Sequence, residues 1–133
     1  MSMKCLFAFA DASAQSWVTG LGVAIKDQQG RLVAWRSRAE QPMTNMEAEY
    51  CAVIFALEQL SAYQPAELEV FSDCKTVVEQ LCGTIAVRND RLRPLYERAK
   101  HLALAFAKVR FSHVPRAHNR LADALASEAC HLT

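Results

Sequence analysis

The chain has 133 residues, of which 52% are hydrophobic and 22% charged, and its formal net charge at pH 7 is +1. This length and composition predict a single domain over residues 1–133 with a buried core, and they exclude an intrinsically disordered chain. No apolar run approaches the roughly 20 residues that a membrane-spanning helix needs, so we expect no membrane partner.

The charged residues are unevenly distributed. Residues 84–120 contain nine lysines and arginines against two acids, so the rest of the chain is acidic on balance. Such an asymmetry is typical of a surface that faces a polyanion, beside an acidic centre. The alternative is a basic helix face that is merely solvated.

The five cysteines are odd in number and show no CxxC spacing; they are Cys5, Cys51, Cys74, Cys82 and Cys130. Buried free thiols in a reducing compartment fit this pattern better than a disulfide framework or a zinc site. We therefore expect a cytoplasmic protein.

The first predicted strand, residues 4–11, is an alternating apolar run that stops at Asp11. This pattern is typical of a central strand that delivers Asp11 to one end of a sheet, although a strand that simply ends at a solvated turn would look the same. Residues 21–26 and 31–37 flank a short turn that ends at Gly30, and they are predicted to form an antiparallel hairpin.

A long and mostly buried helix is predicted after Pro42. Thr44 and Glu47 fit the capping-box pattern S/T-x-x-E, in which the glutamate side chain bonds back to the start of the helix. Glu49 lies two positions further along, about 200° around the helix, and the sequence shows no structural task for it. The two glutamates are therefore expected to differ, with Glu47 as the cap and Glu49 available for chemistry.

A short strand over residues 68–71 runs directly into Asp73, and a helix over 75–81 follows. Ligands gather beyond the carboxyl ends of strands in open α/β sheets, which makes Asp73 a candidate site residue. A basic helix is predicted over 91–107, with Pro94 in its first turn.

The last predicted elements are a strand over 108–114 and a final helix that Asn119 caps. On this helix the apolar residues repeat at every fourth position, and Asp123 points away from their stripe. Asp123 is therefore a further carboxylate without a place in the core.

Four carboxylates thus lie at the edges of predicted elements: Asp11, Glu49, Asp73 and Asp123. Clustered carboxylates repel one another, so a cluster is stable only when it is protonated or neutralised by cations. Mg²⁺ prefers carboxylate oxygens and water, and two such ions can activate a water and stabilise the leaving oxygen in phosphodiester cleavage. The spacing by itself leaves open whether the four side chains converge.

The motifs FADAS, TNMEAEY, FSDCKTVVEQL and VPRAHNRLADALA, in this order, resemble ribonuclease H type 1. The likeness covers essentially the whole chain, residues 4–129. It implies an α/β ribonuclease H-like fold, a five-stranded mixed sheet flanked by helices, with the first three strands antiparallel and the last two parallel to the first. It also implies endonucleolytic hydrolysis of the RNA strand of RNA–DNA hybrids.

The resemblance assigns roles residue by residue. The implied catalytic and metal-binding residues are Asp11, Glu49, Asp73 and Asp123, which would hold two Mg²⁺ ions, with Mn²⁺ able to substitute. The implied substrate-binding residues are Ser13, Asn45, Lys75, Arg116 and Asn119, and His118 is given an auxiliary role in proton transfer or product release. The implied partner is the hybrid, and no obligate protein partner is indicated.

The chain also departs from the family pattern. The usual D-G-S is Asp11-Ala12-Ser13, which removes a glycine that lets backbone approach a substrate, and TNN is Thr44-Asn45-Met46. Residues 83–91 are too few for the basic protrusion of many members, and residues 114–118 are too few for their Gly-His loop. We therefore expect weaker hybrid affinity and slower turnover with an intact metal site.

Two alternatives keep the same fold. One is a binding module that holds nucleic acid or a protein without cutting, and the other is a different nuclease, such as a 3′–5′ exonuclease or a transposase-like enzyme. The presence of all four mutually repelling acids argues against the first, and the TNMEAEY and NRLAD motifs argue against the second.

Overall fold

The structure is a computed structural model that describes residues 5–131. Its strands are β1 (Cys5–Ala14), β2 (Thr19–Lys26), β3 (Leu32–Glu40), β4 (Glu67–Ser72) and β5 (Val109–His113). Its α-helices are α1 (Asn45–Leu60), α2 (Lys75–Leu81), α3 (Arg93–Ala103) and α4 (Arg120–Ala129), and a single 3-10 turn, Arg116–His118, precedes α4.

The five strands form one mixed sheet in the order β3-β2-β1-β4-β5. β2 is antiparallel to both β1 and β3, whereas β4 is parallel to both β1 and β5. The predicted fold class, an α/β protein with a five-stranded mixed sheet, is therefore confirmed. Within residues 5–131, no helix is long and apolar enough to span a bilayer.

The main core lies on the face of the sheet that α1 covers. Leu6 and Ala8 of β1 point into this core together with Val53 and Leu57 of α1, and all four are almost fully buried. Successive strand residues point to opposite faces, which explains the alternating apolar pattern of β1. The central position of α1 explains why it is apolar on nearly all sides.

α4 packs on the opposite face of the sheet, against two glycines of β2. A Cβ atom at Gly20 would lie 1.9 Å from the carbonyl oxygen of Ala126, and one at Gly22 would lie 2.2 Å from that of Ala122. Any side chain at these positions would push α4 away from the sheet. The close approach therefore requires glycine, and it brings the start of α4 near the middle of β1.

Several predicted element ends differ from the structure, among them the end of β3, which continues to Glu40 rather than stopping at residue 37. β1 does not end at Asp11, because residues 11–14 continue to pair with β2; the pairing that ends here is the one with β4, at Ala10 and Ser72. The predicted first residue of that strand, Lys4, lies outside the described residues. α3 ends at Ala103 rather than at 107, because the following amides bond to carbonyls three residues back and tighten the chain into turns.

Candidate metal centre

The capping box at the start of α1 is confirmed. The backbone N–H of Glu47 donates to Thr44 Oγ1 at 3.2 Å, and the N–H of Thr44 donates to Glu47 Oε1 at 3.0 Å. The Thr44 backbone N–H, followed by the Thr44 side chain, stabilises the Glu47 carboxylate and holds its pKa below the ordinary value. The cap fixes where α1 begins, and it thus fixes the position of Glu49 in the next turn.

Asp11 and Asp73 reach the same edge of the sheet from neighbouring parallel strands. Ala10 of β1 pairs with Ser72, the last residue of β4, so each aspartate is the next residue along its chain. Ser72 Oγ also accepts the N–H of Cys74 at 3.1 Å, which turns the chain sharply at Asp73. The two aspartates therefore lie side by side, as predicted, where the parallel pairing of β1 and β4 ends, although β1 itself continues to Ala14.

The structure brings all four predicted acids together. One carboxylate oxygen from each of Asp11, Glu49 and Asp73 lies within 4.8 Å of the others. Asp123, in the first turn of α4, lines the same pocket, which has a volume of about 230 Å³. Because these acids come from a strand, two helices and a strand-to-helix turn, their convergence is a product of the tertiary fold.

Burial and mutual repulsion raise the pKa of two of these carboxyls. The pKa of Asp11, which is only 5% exposed, is raised to about 7 by burial first and then by the charge of Asp73. Burial, followed by the charges of Asp11 and Asp73, raises the pKa of Glu49 to about 8. Without positive charge the pocket therefore holds protons near neutral pH.

The donor set fits a hard divalent cation. The cluster offers carboxylate oxygens only, with no thiolate or imidazole among its members. Ions such as Mg²⁺ and Mn²⁺ favour oxygen ligands, and a bound cation would remove the repulsion that raises these pKa values. Asp11, Glu49, Asp73 and Asp123 are thus the residues that could hold such an ion.

The substitution of alanine for the family's glycine is accommodated. Ala12 lies in β1, paired with Leu21, and among the described residues the only non-glycine with positive φ is Gln64. The backbone amide of Ala12 lies beside the carboxyls of both Asp11 and Glu49, and it opposes the rise of their pKa values. Sequence patterns carry no signal for this amide, because its role does not depend on the side chain.

The predicted substrate-binding residues lie in different places. Asn45 and Arg116 line the acid pocket. Ser13 lies further along β1, where its Oγ accepts a hydrogen bond from Gln15 Nε2 at 3.0 Å, and Lys75 is exposed at the first position of α2. The small side chains of Ala12, Ala14 and Ala48 complete the pocket wall and had no signal in the sequence.

One expectation, at Asn119, needs correction, and a second, at His118, stays a prediction. Asn119 precedes α4, but its side chain makes no cap; it is 1% exposed, and its Nδ2 donates to the Ala10 carbonyl at 3.0 Å. A side chain so deeply buried is out of reach of a substrate. His118 is exposed, but it lines a second depression, with Phe9 and Lys26, and is not among the residues around the acids. Its auxiliary role stays a prediction.

A mixed sheet of this order, with carboxylates gathered where the pairing of its two central parallel strands ends, defines the ribonuclease H-like class of proteins. The family model described as reverse transcriptase-like matches residues 9–129. The bifunctional protein Rv2228c of Mycobacterium tuberculosis is 40% identical over 86 residues, which are 65% of this chain and 24% of that protein. Ribonuclease HI of Halobacterium salinarum is 36% identical over 109 residues, 82% of this chain and 55% of the relative.

Solved structures agree with these matches. The crystal structure of RNase H1 from Halobacterium salinarum has a TM-score of 0.93 and 31% identity, covering 97% of this chain and 99% of that chain. LC11-RNase H1 in complex with an RNA/DNA hybrid has a TM-score of 0.88 and 30% identity, and the match covers 93% of this chain and 95% of that chain. The chain belongs to the ribonuclease H type 1 family. It spans about a quarter of the length of the first curated relatives and about half of the halobacterial one.

Proposed function

We propose that this chain is an endonuclease that hydrolyses the RNA strand of RNA–DNA hybrids at the acid pocket. The single observation that carries this proposal is the convergence of Asp11, Glu49 and Asp73, with Asp123 on the same pocket wall. The match to a solved RNase H1 bound to an RNA/DNA hybrid supports the choice of substrate.

The proposed cofactors are two Mg²⁺ ions, for which Mn²⁺ can substitute, held by Asp11, Glu49, Asp73 and Asp123. When bound, such ions supply an activated water and neutralise the charge that develops on the leaving oxygen. Asp11 has the central place among the four ligands, since its carboxyl is within hydrogen-bonding reach of those of Glu49 and Asp123. The small side chains of Ala12, Ala14 and Ala48 in the pocket wall leave room beside the acids for a phosphodiester.

The substrate would be oriented by two side chains at the pocket. The Arg116 guanidinium can donate two parallel hydrogen bonds to a phosphate, which a lysine cannot do. The Asn45 amide can both donate to and accept from a ribose 2′-hydroxyl, the group that distinguishes RNA from DNA. Both contacts would form only when the RNA strand lies over the acids.

The basic segment before α3 would hold the phosphates of the hybrid. Arg88 and Arg91 are exposed, and Arg91 is close enough to Glu47 to lower its pKa, so this segment borders the start of α1. Arg93 and Arg98 are exposed too, but Arg93 donates to the Val87 carbonyl at 2.7 Å and Arg98 pairs with a glutamate. We therefore assign the main phosphate contacts to Arg88 and Arg91.

We further propose that residues 1–133 work as one domain in the cytoplasm. All five cysteines are free thiols, and a reducing compartment keeps thiols in this state. Expression of the tagged protein followed by cell fractionation tests the location, and recovery in a membrane or secreted fraction would contradict it.

A cleavage assay on five labelled substrates tests the proposed activity: hybrid, duplex DNA, duplex RNA and the two single strands, each with Mg²⁺ or Mn²⁺. We expect internal cuts in the RNA strand of the hybrid alone. Glu49→Gln should abolish them, and Glu47→Gln is the matched control two residues away. Cutting of duplex DNA would indicate another nuclease of this fold, and binding without cutting would indicate a binding module.

A further inference from the structure

Side-chain hydrogen bonds tie both ends and the middle of α4 to the sheet, and at the C-terminal end Cys130 Sγ donates to the Ser13 carbonyl at 3.6 Å. Asn119 Nδ2 donates to the Ala10 carbonyl of β1 at 3.0 Å, and Ser37 Oγ of β3 donates to the Leu125 carbonyl at 2.8 Å. The Asn119 and Ser37 bonds differ in position. The first lies at the start of α4, beside the acid pocket, and the second lies near the middle of the helix.

The Asn119 side chain occupies a costly environment. It is 1% exposed, and no group within residues 5–131 hydrogen-bonds to its buried Oδ1. A buried acceptor without a partner destabilises the folded state, whereas an apolar side chain of similar size would carry no such cost. The hydrogen bond that Nδ2 donates must therefore have a role beyond filling space in the core.

The backbone around Asn119 connects two of the acids. Ala10, which accepts the side-chain hydrogen bond, immediately precedes Asp11. The carbonyl of Asn119 accepts the backbone N–H of Asp123 at 3.0 Å. One residue thus binds the strand that carries Asp11 through its side chain and the helical turn that carries Asp123 through its main chain.

We propose that Asn119 is a positioning residue that sets the distance between the carboxylates of Asp11 and Asp123, and so completes the metal centre. This inference rests on the proposed function of the acid pocket. Without the bond, α4 stays on the sheet through its close packing on Gly20 and Gly22 and through Ser37, but its first turn is free to shift relative to β1.

Ser37 provides the matched control. It lies in the same row across the sheet as Gly22 and Asp11, and it also fixes α4 through one hydrogen bond to a backbone carbonyl. Its partner Leu125 is beyond Asp123 along the helix, and Ser37 lines no part of the acid pocket. Ser37→Ala therefore removes a comparable tie without changing the position of either carboxylate.

The test measures Mn²⁺ binding by isothermal titration calorimetry, without nucleic acid, for the wild type, Asn119→Leu and Ser37→Ala. We expect Asn119→Leu to bind Mn²⁺ more weakly by about tenfold or more, as for other residues that orient metal ligands, and Ser37→Ala to bind as the wild type does. If Asn119→Leu does not fold, Asn119→Ala takes its place. Unchanged Mn²⁺ affinity in the folded Asn119 variant would overturn the proposal.

Steady-state cleavage gives a second readout. A positioning role predicts a lower kcat with an unchanged KM for the hybrid, whereas direct contact between Asn119 and substrate predicts a raised KM with unchanged Mn²⁺ affinity, which would contradict the proposal. Because ion binding is measured without substrate, a wild type that binds Mn²⁺ but cuts no hybrid would overturn the proposed activity alone. A wild type that binds no Mn²⁺ would overturn the positioning role as well.

Discussion

Glu47 and Glu49 are two residues apart on α1, yet their surroundings favour opposite charge states. Glu47 accepts a hydrogen bond from the Thr44 amide, and this bond lowers its pKa. Glu49 lies beside the buried Asp11 and Asp73, and its pKa is raised to about 8. The same chemical group is stabilised as a carboxylate at one position and destabilised as a carboxylate at the next turn.

The difference separates a structural acid from a functional one. The charge of Glu47 favours the fold, since it satisfies an amide that the helix itself leaves without a partner. The charge of Glu49 opposes the fold, and only a bound cation makes it favourable. A perturbed carboxyl that costs stability, in a pocket with three others, is the pattern expected of a working site.

Substitutions inside the acid pocket should have the largest effect. We expect Asp11→Asn or Glu49→Gln to lower the hybrid cleavage rate by on the order of a thousandfold or more, about 4 kcal/mol of barrier, because each removes a metal ligand. Circular dichroism should show an unchanged fold. Full activity in Glu49→Gln together with loss of activity in Glu47→Gln would reverse the two assignments.

Stability without metal should depend on pH in opposite ways at the two sites. The raised pKa values of Asp11 and Glu49 mean that the folded state binds more protons than the unfolded state between about pH 4 and about pH 8. The free energy of unfolding in EDTA should therefore fall as pH rises through this window. The lowered pKa of Glu47 has the opposite effect on stability. The stability that its charge contributes is lost as pH falls below the ordinary pKa of a glutamate.

Urea denaturation in EDTA at pH 5 and pH 8 measures this dependence. Glu49→Gln should stabilise the protein more at pH 8 than at pH 5, because it removes a charge that the fold penalises. Added Mn²⁺ should raise the stability of the wild type at pH 8. A metal-free wild type that becomes more stable from pH 5 to pH 8 would mean that the pocket does not penalise its carboxylates.

Hybrid binding should depend on the basic segment that borders the Glu47 end of α1. Arg88→Ala and Arg91→Ala each remove one cation that faces a phosphate, so each should reduce the slope of log K against log salt by roughly 0.7–0.9, with little dependence on base sequence. Arg93→Ala is the control, since that side chain already donates to the Val87 carbonyl. Fluorescence anisotropy over a range of KCl concentrations measures the slopes, and identical slopes would leave this segment as a solvated face.

The smallest effect is expected at the cap. Glu47→Gln should cost a few tenths to about 1 kcal/mol of unfolding free energy and leave cleavage largely intact, because glutamine can still accept the Thr44 amide. Thermal unfolding together with a cleavage assay measures both quantities. A loss of several kcal/mol, or of activity, would show that Glu47 belongs to the site.

The capping role of Glu47, and the absence of such a role for Glu49, could be predicted because capping is a local property of four consecutive residues. The position of Asp73 could be predicted equally well, since an apolar strand runs straight into it. The end of β1 was mispredicted because pairing with β2, and not the local apolar pattern, decides where that strand stops. The position of Asn119 could not be predicted either, because its partner Ala10 is 109 residues away along the chain.

Anomalous diffraction from Mn²⁺ in crystals of this protein with a cleavage-resistant hybrid tests the central claim most directly. The acid pocket should contain two manganese peaks, roughly 3.5–4 Å apart, between Asp11, Glu49, Asp73 and Asp123. The carboxylate of Glu47 should remain hydrogen-bonded to Thr44 and free of metal. A pocket without manganese, or a peak at Glu47 in place of Glu49, would contradict the assignment of this site.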